Sequence, residues 1–274
     1  MITQKETFYW HMLNRNLRLL LRHFGTKFFP LYVVNEYPKS GGSWVGEMLS
    51  DALKVPFPRN RLPVFKSSIL QGHTLKSWNM HNVVIVWRDG RDLLVSQYYY
   101  WLFKNERFNS RLVDRSRGDL QFTDYQDIKN NLPIFMKYIF DDKRSIDISW
   151  TDFVNKWADC ERCVHVKYED LRTQPFVELS RIVNELTGKT LEDDEIQNII
   201  DAHSFERKSK RKPGDENIHS FMRKGIIGDW KNHFTSKSRK LFDDYAGNAL
   251  ISLGYEEDHS WVQGESSVKS DILG

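Results

Sequence analysis

LYVVNEYPKSGGSWVGEMLSDAL, residues 31–53, is the stretch that decides the fold. Its first six residues are mostly β-branched, aromatic or apolar, which favours a short strand. The following PKSGGS breaks that strand, and from Trp44 onward apolar side chains return at the three- and four-residue spacing of a helix. The stretch therefore predicts a strand, a glycine-bearing loop and a helix in direct succession.

The loop of this unit carries groups that suit an anion. A loop that opens a helix presents unpaired backbone N–H groups and the positive end of the helix dipole. Gly41 and Gly42 allow close approach of the backbone, Lys39 adds a charge, and Ser40 and Ser43 add hydroxyls. It is not a Walker A loop, because the lysine precedes the glycines. The loop predicts a phosphate site, with an ordinary strand–helix turn as the alternative.

A second stretch, NVVIVW at residues 82–87, is almost entirely apolar, as expected of a parallel strand buried on both faces. Arg88 follows it, and a tyrosine-rich helix with Ser96 near its start is predicted over 93–104. An arginine at the carboxyl end of a strand offers a planar fork to a phosphate, at the edge where open α/β sheets bind nucleotides. A salt bridge at the start of the helix is the alternative role for Arg88.

The remaining pattern completes an alternation of strands and helices. Short strands are predicted over 64–66 and 163–168, and helices over 150–158, 176–187, 191–203 and 234–253. Residues 105–145 show no clear period, and we expect loops and short helices there. Strands that alternate with helices predict a parallel α/β sheet.

A third stretch, FMRKGIIGDWKNHFT, begins at Phe221 and Met222. Arg223 and Lys224 stand beside Gly225, so two cations adjoin a flexible backbone position and predict another anion site. A basic surface loop is the alternative, as it also is for the basic run over 207–212.

Taken in order, the three stretches resemble the PAPS-dependent sulfotransferases of the cytosolic type (PAPS is 3′-phosphoadenosine 5′-phosphosulfate). PKSGGSW is similar to the family's PKSGTTW loop, with Gly42 and Ser43 in place of two threonines, and RKGIIGDWKNHFT carries every fixed letter of RKGxxGDWKNxFT. The resemblance implies an α/β fold, a single P-loop-like domain over 31–254 with a central parallel sheet flanked by helices.

The resemblance also implies a site for PAPS, with PAP as the product and no metal. Tyr168 of a Tyr-Glu-Asp segment is similar to a residue near the adenine, Ser204 and Phe205 resemble the pair that holds the purine, and Trp44 would stack on the base. The implied cofactor-binding residues are Lys39, Ser40, Gly41, Gly42, Ser43, Trp44, Arg88, Ser96, Tyr168, Ser204, Phe205, Phe221, Met222, Arg223, Lys224 and Gly225.

The implied reaction transfers a sulfuryl group from PAPS to a hydroxyl or amine of an acceptor whose class the sequence leaves open. Lys39 would stabilise the leaving phosphate, and a histidine would act as general base. The family's Lys-Thr-His-Leu-Pro segment corresponds to residues 65–70, so that Ser68 stands at the position of the histidine. His73 is the candidate base in its place, and a role as a surface loop residue is the alternative.

Two other functions remain open at this point. A non-catalytic protein that binds PAP or a nucleotide could keep the cofactor segments and lack the base. A P-loop nucleotide phosphotransferase is disfavoured because a Walker A motif is missing. Many members of the family form dimers through a KxxxTVxxxE segment. Here Ser236 and Lys240 stand in place of its valine and glutamate, so the oligomeric state is open.

Composition sets the remaining expectations. Forty basic residues face thirty-seven acidic ones, for a net charge of +3, which gives no sign of a nucleic-acid partner. The only two cysteines, Cys160 and Cys163, form half of a zinc site at most, which favours incidental thiols in a reducing, cytoplasmic compartment.

The two ends of the chain differ from the central domain. Residues 1–30 are predicted to form an amphipathic helix and a connector, and 255–274 a polar, loose tail. The helical part, 8–29, mixes cations with leucine and aromatic residues. We expect it to pack on the domain, with peripheral membrane contact as the alternative. No apolar run reaches the roughly 18–20 residues of a membrane span.

Overall fold

The computed structural model describes residues 12–14, 16–21, 24–59, 61–76, 80–107, 109–141 and 148–263. The chain divides into two compact units. The first comprises Met1–Arg88 and Cys160–Lys208, and the second Asp89–Asp159 and Ser209–Gly274.

The first unit contains a four-stranded sheet in which every pair of neighbours is parallel. In chain order the strands are β1 (Leu31–Glu36), β2 (Ser68–Gly72), β3 (Val83–Trp87) and β4 (Val164–Lys167). Their order across the sheet is β2-β1-β3-β4. The parallel α/β sheet predicted from the sequence is thus confirmed. The strand predicted over 64–66 is wrong, since β2 begins at Ser68, and Phe65 and Lys66 are exposed.

Helices cover this sheet because their apolar faces and the strands bury one another. Val34 in β1 and Val84 in β3 are fully buried and belong to one core with Leu49 and Ile182 from the covering helices. The helices of the first unit are α1 (Gly42–Leu53), α6 (Tyr168–Thr173), α7 (Pro175–Thr187), α8 (Asp193–Ala202) and α9 (Phe205–Ser209). Gly188 ends α7 in a left-handed conformation, as helix C-termini commonly do.

The second unit is helical. Its helices are α2 (Gly90–Leu102), α3 (Ser110–Leu120), α4 (Ile128–Asp141), α5 (Trp150–Trp157) and α10 (Ser236–Ser252), with 3₁₀ turns at Asp229–Asn232 and His259–Gln263. Where the sequence predicts loops and short helices over 105–145, the structure has two helices of 11 and 14 residues. α3 buries only Val113 and Ser116 among mostly polar residues, which conceals its period, whereas α4 buries an apolar stripe that includes Ile128, Leu132 and Phe135.

A buried cation ties together three segments of the second unit. Arg91, at the start of α2, is 2% exposed and binds the carboxylates of Asp89 and Glu256. Its guanidinium carbon lies 3.9 Å from the ring centre of Trp230 and 4.7 Å from that of Trp261. Cations prefer such positions over indole faces. Because Glu256 and Trp261 come from the predicted loose tail, that expectation is wrong for residues 255–263.

The amino-terminal expectation is tested only in part. Residues 12–14 and 16–21 are helical, and a 3₁₀ turn follows at Gly25–Lys27. Residues 1–11, 15, 22 and 23 of the predicted segment lie outside the described residues, as does 264–274 of the tail. Within the described part of the chain, no helix has the length and apolar character needed to cross a bilayer.

Arg91→Ala should lower the free energy of unfolding by about 3–5 kcal/mol, because it leaves two carboxylates at a largely buried position without their cation. Urea denaturation measures this. Lys104→Ala is the matched control, since its ion pair with Asp114 is largely exposed and should contribute about 0.5 kcal/mol or less. Equal losses for the two variants would contradict the role given to Arg91.

Candidate functional site

The four strands deliver the predicted residues of the first unit to one edge of the sheet. In the parallel register, Asn35 pairs with Gly72, Glu36 with Val86, and Trp87 with Lys167. The loop that begins at Tyr37 follows β1, and His73 follows β2. Arg88 and Tyr168 follow β3 and β4. Segments far apart in the sequence are therefore gathered at the carboxyl edge.

The loop after β1 has the backbone of an anion cradle. Lys39 has a φ of 82° and Gly41 a φ of 105°, both left-handed. A lysine rarely adopts this conformation, and such strain concentrates at functional sites. α1 begins at Gly42, so the positive end of its dipole faces the loop. Ser40 is buried beneath the turn, and its N–H donates to Tyr37 O at 3.1 Å.

A carboxylate that sequence reasoning missed lies under this cradle. Glu36 is 3% exposed, and its Oε2 accepts a hydrogen bond from the Gly42 N–H at 2.5 Å. Gln71 Nε2 donates to Glu36 Oε1 at 2.6 Å and approaches Ser43 Oγ at 3.2 Å. A Cβ at Gly42 would lie 2.5 Å from the carboxyl carbon of Glu36. Gly42 replaces the family's threonine because Glu36 occupies the space of that side chain.

His73 lies directly after β2 and beside the same loop. Its Nδ1 is 2.9 Å from the backbone oxygen of Glu36. A carbonyl oxygen only accepts, so Nδ1 carries a proton, and in the neutral imidazole the lone pair is on Nε2. Asn35 fixes the following segment, with hydrogen bonds of 3.1 Å to both the N–H and the O of Thr74. Ser68, which the sequence places at the family's histidine position, begins β2 opposite Leu31, at the other end of the strand from His73.

The Tyr168 ring brings three of the predicted residues together. A Cβ at Gly41 would lie 2.9 Å from Tyr168 Cδ2, so the loop passes directly over the ring. Trp44 meets the ring edge-on at 5.8 Å between centres, and the Arg88 guanidinium carbon lies 4.6 Å from the ring centre. Arg88 also donates to Lys39 O at 3.1 Å. The Tyr-Glu-Asp segment thus supports the loop itself.

Trp44 has a donor that the described residues do not satisfy. Its indole Nε1 is buried, and none of the described residues accepts a hydrogen bond from it. A buried donor without an acceptor costs about 1–3 kcal/mol, which a ligand acceptor could recover. Arg172, which sequence reasoning did not single out, lies with its guanidinium carbon 5.9 Å from the Trp44 ring centre.

His203 and Lys208, which flank Ser204 and Phe205 in the chain, bind carboxylates of α1. Ser204 Oγ accepts from the Arg207 N–H at 3.3 Å, and Phe205 is buried. His203 Nε2 lies 2.7 Å from Asp51 Oδ2. The Glu47 carboxylate lies 3.7 Å from His203 Nδ1 and accepts from Lys208 Nζ at 3.0 Å.

These contacts shift two pKa values in opposite directions. The carboxylates of Glu47 and Asp51 raise the pKa of His203 against the effect of burial. Burial opposes ionisation of Glu47 as well, but His203 and Lys208 lower its pKa to about 2. Lys208, part of the basic run that was expected to be either a solvated loop or a ligand site, pairs within the fold.

In the second unit, one buried acid organises the predicted cations. Asp229 binds the guanidinium of Arg223, accepts from Lys224 Nζ at 2.7 Å, and lies 3.2 Å from His233 Nε2. Burial opposes its ionisation, but these partners hold the pKa of Asp229 far below its ordinary range. Arg223 also binds Glu216 and lies 4.4 Å from the centre of the Tyr99 ring.

Further contacts hold the loop that carries these cations. Asp92 accepts from the N–H groups of Gly228 and Trp230 at 2.7 and 2.9 Å. The Glu106 carboxylate accepts from the Phe221 N–H at 3.0 and 3.1 Å. Arg211 binds the backbone oxygens of Met222 and Arg223, so this member of the basic run is also structural. Ser96 lies on α2 one turn before Tyr99, the neighbour of Arg223.

The described residues contain no cluster of histidine, cysteine and acidic side chains that could hold a metal ion. Cys160 and Cys163 both carry free thiols, and burial raises the pKa of Cys163 to about 12. A thiol with this pKa is inert near neutral pH.

Comparison with known proteins identifies the family. A family model described as a sulfotransferase domain matches residues 70–254, more than half of the chain. The chain belongs to the sulfotransferase family.

Two curated relatives show the extent of the likeness. Human sulfotransferase 1C2 is 30% identical over 171 residues, which cover 57% of this chain and 50% of that protein. Human sulfotransferase 2A1 is 26% identical over 267 residues, which cover 82% of this chain and 85% of that protein. The chain thus matches half the length of the first relative and most of the second.

Among solved structures, mouse sulfotransferase SULT7A1 complexed with PAP aligns with a TM-score of 0.58 and 19% identity, over 83% of this chain and 88% of that chain. At this identity the likeness concerns the fold. It agrees with the α/β class and parallel sheet described above, and the predicted fold class is confirmed.

Gly42→Thr should destabilise the protein by about 1–3 kcal/mol, because the new side chain would overlap the Glu36 carboxylate. Glu36→Ser combined with Gly42→Thr should recover most of that loss, which a double-mutant cycle in urea measures as coupling. Gly118→Ala is the matched control: nothing lies within 4 Å of its Cβ, and a helical alanine should stabilise by about 0.5–1 kcal/mol. Additive costs in the double variant would contradict the steric argument.

The raised pKa of His203 predicts a pH dependence of stability. In the unfolded chain the pKa of a histidine is about 6.5. The stabilisation from charged His203 is therefore complete below that pH and is lost as the pH rises through the higher pKa of the folded protein. The difference in unfolding free energy between the wild type and His203→Gln should therefore shrink from pH 6 toward pH 8, as urea denaturation can measure. A difference that stays constant would show that the charge of His203 plays no part.

Proposed function

We propose that this chain transfers a sulfuryl group from PAPS to a hydroxyl or amine of an acceptor, giving PAP and a sulfated product. Membership of the sulfotransferase family supports the reaction class, and the structural neighbour complexed with PAP supports the cofactor. The observation that carries the proposal is the position of His73, beside the loop after β1, with Nδ1 bound to a carbonyl and Nε2 available as a base.

The residues of the first unit fit a phosphosulfate and an adenine. The Gly42 N–H is already bound by Glu36, so the groups offered to the anion are the positive end of the α1 dipole, the Lys39 cation and the Ser43 hydroxyl. Trp44 offers an aromatic face and the unsatisfied indole donor. Tyr168, Ser204 and Phe205 complete the implied base-binding set.

Arg88 is the candidate phosphate ligand of the first unit. In the second unit, Ser96 and the segment from Phe221 through Met222 to Gly225 are the residues that the family resemblance assigns to a phosphate. Arg223 and Lys224 both pair with Asp229, which fixes the direction of their side chains. A phosphate here would compete with Glu216 for Arg223. Because salt screens the attraction between a phosphate and these cations, phosphate binding should weaken as salt is added.

The chemistry requires a proton acceptor and stabilisation of a leaving group. Bound PAPS would supply the sulfuryl group and the PAP leaving group. His73 Nε2 would take the proton of the attacking hydroxyl or amine as the new bond to sulfur forms. Lys39 and the positive end of the α1 dipole would stabilise the charge that develops on the phosphate oxygen when the old bond breaks.

A non-catalytic PAP-binding protein is the second candidate, and it stood on the absence of a base. The position of His73 at the end of β2 supports the catalytic proposal against it. A phosphotransferase has less support, because the loop lacks the Walker A order of residues. From the two free thiols we also propose a cytoplasmic setting.

Titration calorimetry with PAP, followed by transfer from sulfur-labelled PAPS to a panel of phenols, alcohols and amines, tests the proposal. The wild type should bind PAP, which at a hundredfold excess over Kd should stabilise it by about 2.7 kcal/mol. His73→Gln should keep PAP affinity but lose about 10²-fold or more in kcat. His81→Gln is the matched control, since it lies before β3 and should keep full activity.

Arg223→Ala and Lys39→Met should weaken PAP binding, because each removes a cation that the proposal gives to a phosphate. Binding of PAP without transfer to any member of the panel would favour the non-catalytic protein. A folded wild type that shows no stabilisation at a large excess of PAP would overturn the cofactor assignment. Full activity in His73→Gln would overturn His73 as the base and leave the cofactor site intact.

A further inference from the structure

The described amino-terminal residues expose apolar side chains to solvent. The side chains concerned are 42–80% exposed and are Met12, Leu13, Leu19, Leu20, Phe24 and Phe28. We call them the 12–28 face. Met12 and Leu13 belong to the described helical residues 12–14, and Leu19 and Leu20 to 16–21, where Asn16 is also exposed. Exposed apolar side chains concentrated in one segment mark an interaction surface.

The opposite side of the helical residues already packs on the first unit. Leu21 is buried in a cluster with Leu31 and Leu70 of the sheet. Arg18 donates to Asn14 Oδ1 at 2.8 Å and to the backbone oxygens of Arg59 and Arg61. The contact between these helical residues and the sheet therefore uses side chains other than those of the 12–28 face.

The two segments that meet at Arg18 are cationic in sequence. Residues 7–35 contain four lysines and arginines and no acid, and residues 52–88 contain six and no acid. Arg18 joins these segments through its bonds to the backbone oxygens of Arg59 and Arg61. Arg59 and Lys54 pair with Glu47 and Glu195, whereas Lys27, Arg61 and Lys66 are exposed. These three exposed cations are the ones offered to an anionic partner.

We propose that the 12–28 face docks on the surface of an anionic lipid bilayer. Apolar side chains would enter the interface while lysines and arginines pair with lipid phosphates and carboxylates, and stable binding of this kind needs both signals. A second copy of the chain would bring two cationic surfaces together, which disfavours self-association. The proposal is independent of the sulfotransferase reaction.

Cosedimentation of the full chain with vesicles tests this inference. The wild type should bind vesicles of phosphatidylcholine containing about one-third phosphatidylserine, and bind far less to phosphatidylcholine alone. Leu20→Glu with Phe28→Glu should reduce the partition coefficient by about tenfold or more, and Lys27→Glu by roughly tenfold. All three positions are exposed, so circular dichroism should show unchanged folding.

Val177→Glu is the matched control, because Val177 is 55% exposed on α7, away from the 12–28 face in the sequence, and should keep wild-type binding. Equal binding to neutral and anionic vesicles would overturn the proposal, as would no binding by the folded wild type. Self-association that Leu20→Glu abolishes, in sedimentation velocity without lipid, would assign the face to a second copy instead. None of these outcomes depends on PAP binding or transfer.

Discussion

Parallel hydrogen bonding between β1 and its neighbours β2 and β3 is the constraint on which the rest of the first unit depends. Parallel strands end at the same edge, so the register that pairs Asn35 with Gly72 also sets His73 beside the loop after β1. β3 and β4 bring Arg88 and Tyr168 to that edge in the same way. Because both faces of β1 and β3 are buried, a slip of one residue would exchange the side chains packed on the two faces, which makes the register costly to change.

Carboxylates organise the candidate anion sites of both units. Glu36 accepts the Gly42 N–H under the loop of the first unit, and Asp229 binds Arg223 and Lys224 in the second. A buried acid fixes the direction of the donor it binds, at an electrostatic cost toward an incoming anion. The protein thus gains a preformed arrangement of donors before any ligand binds. Preformed dipoles and charges are also what stabilises a developing charge most effectively.

The sequence pattern predicted the elements around the anion loop well, because local signals and burial agree there. β3 is apolar throughout, and Gly188 marks the end of α7 with a backbone conformation that favours glycine. The pattern failed where tertiary contacts decide. α3 buries only Val113 and Ser116 among polar residues, which conceals its period. Residues 64–66 have a strand-like composition, but Phe65 and Lys66 lie at the surface, and β2 begins later, at Ser68.

By itself the sequence determined the order of the phosphate-type segments, the α/β alternation and the family resemblance, since each depends on residues close together in the chain. Only the tertiary structure decided that His73, not Ser68, lies beside the loop, because strand register joins residues that are 37 positions apart. It alone revealed that Gly42 accommodates Glu36, a contact between side-chain and backbone volumes that no spacing encodes. Packing in three dimensions, rather than composition, also decided which face of the amino-terminal residues stays exposed.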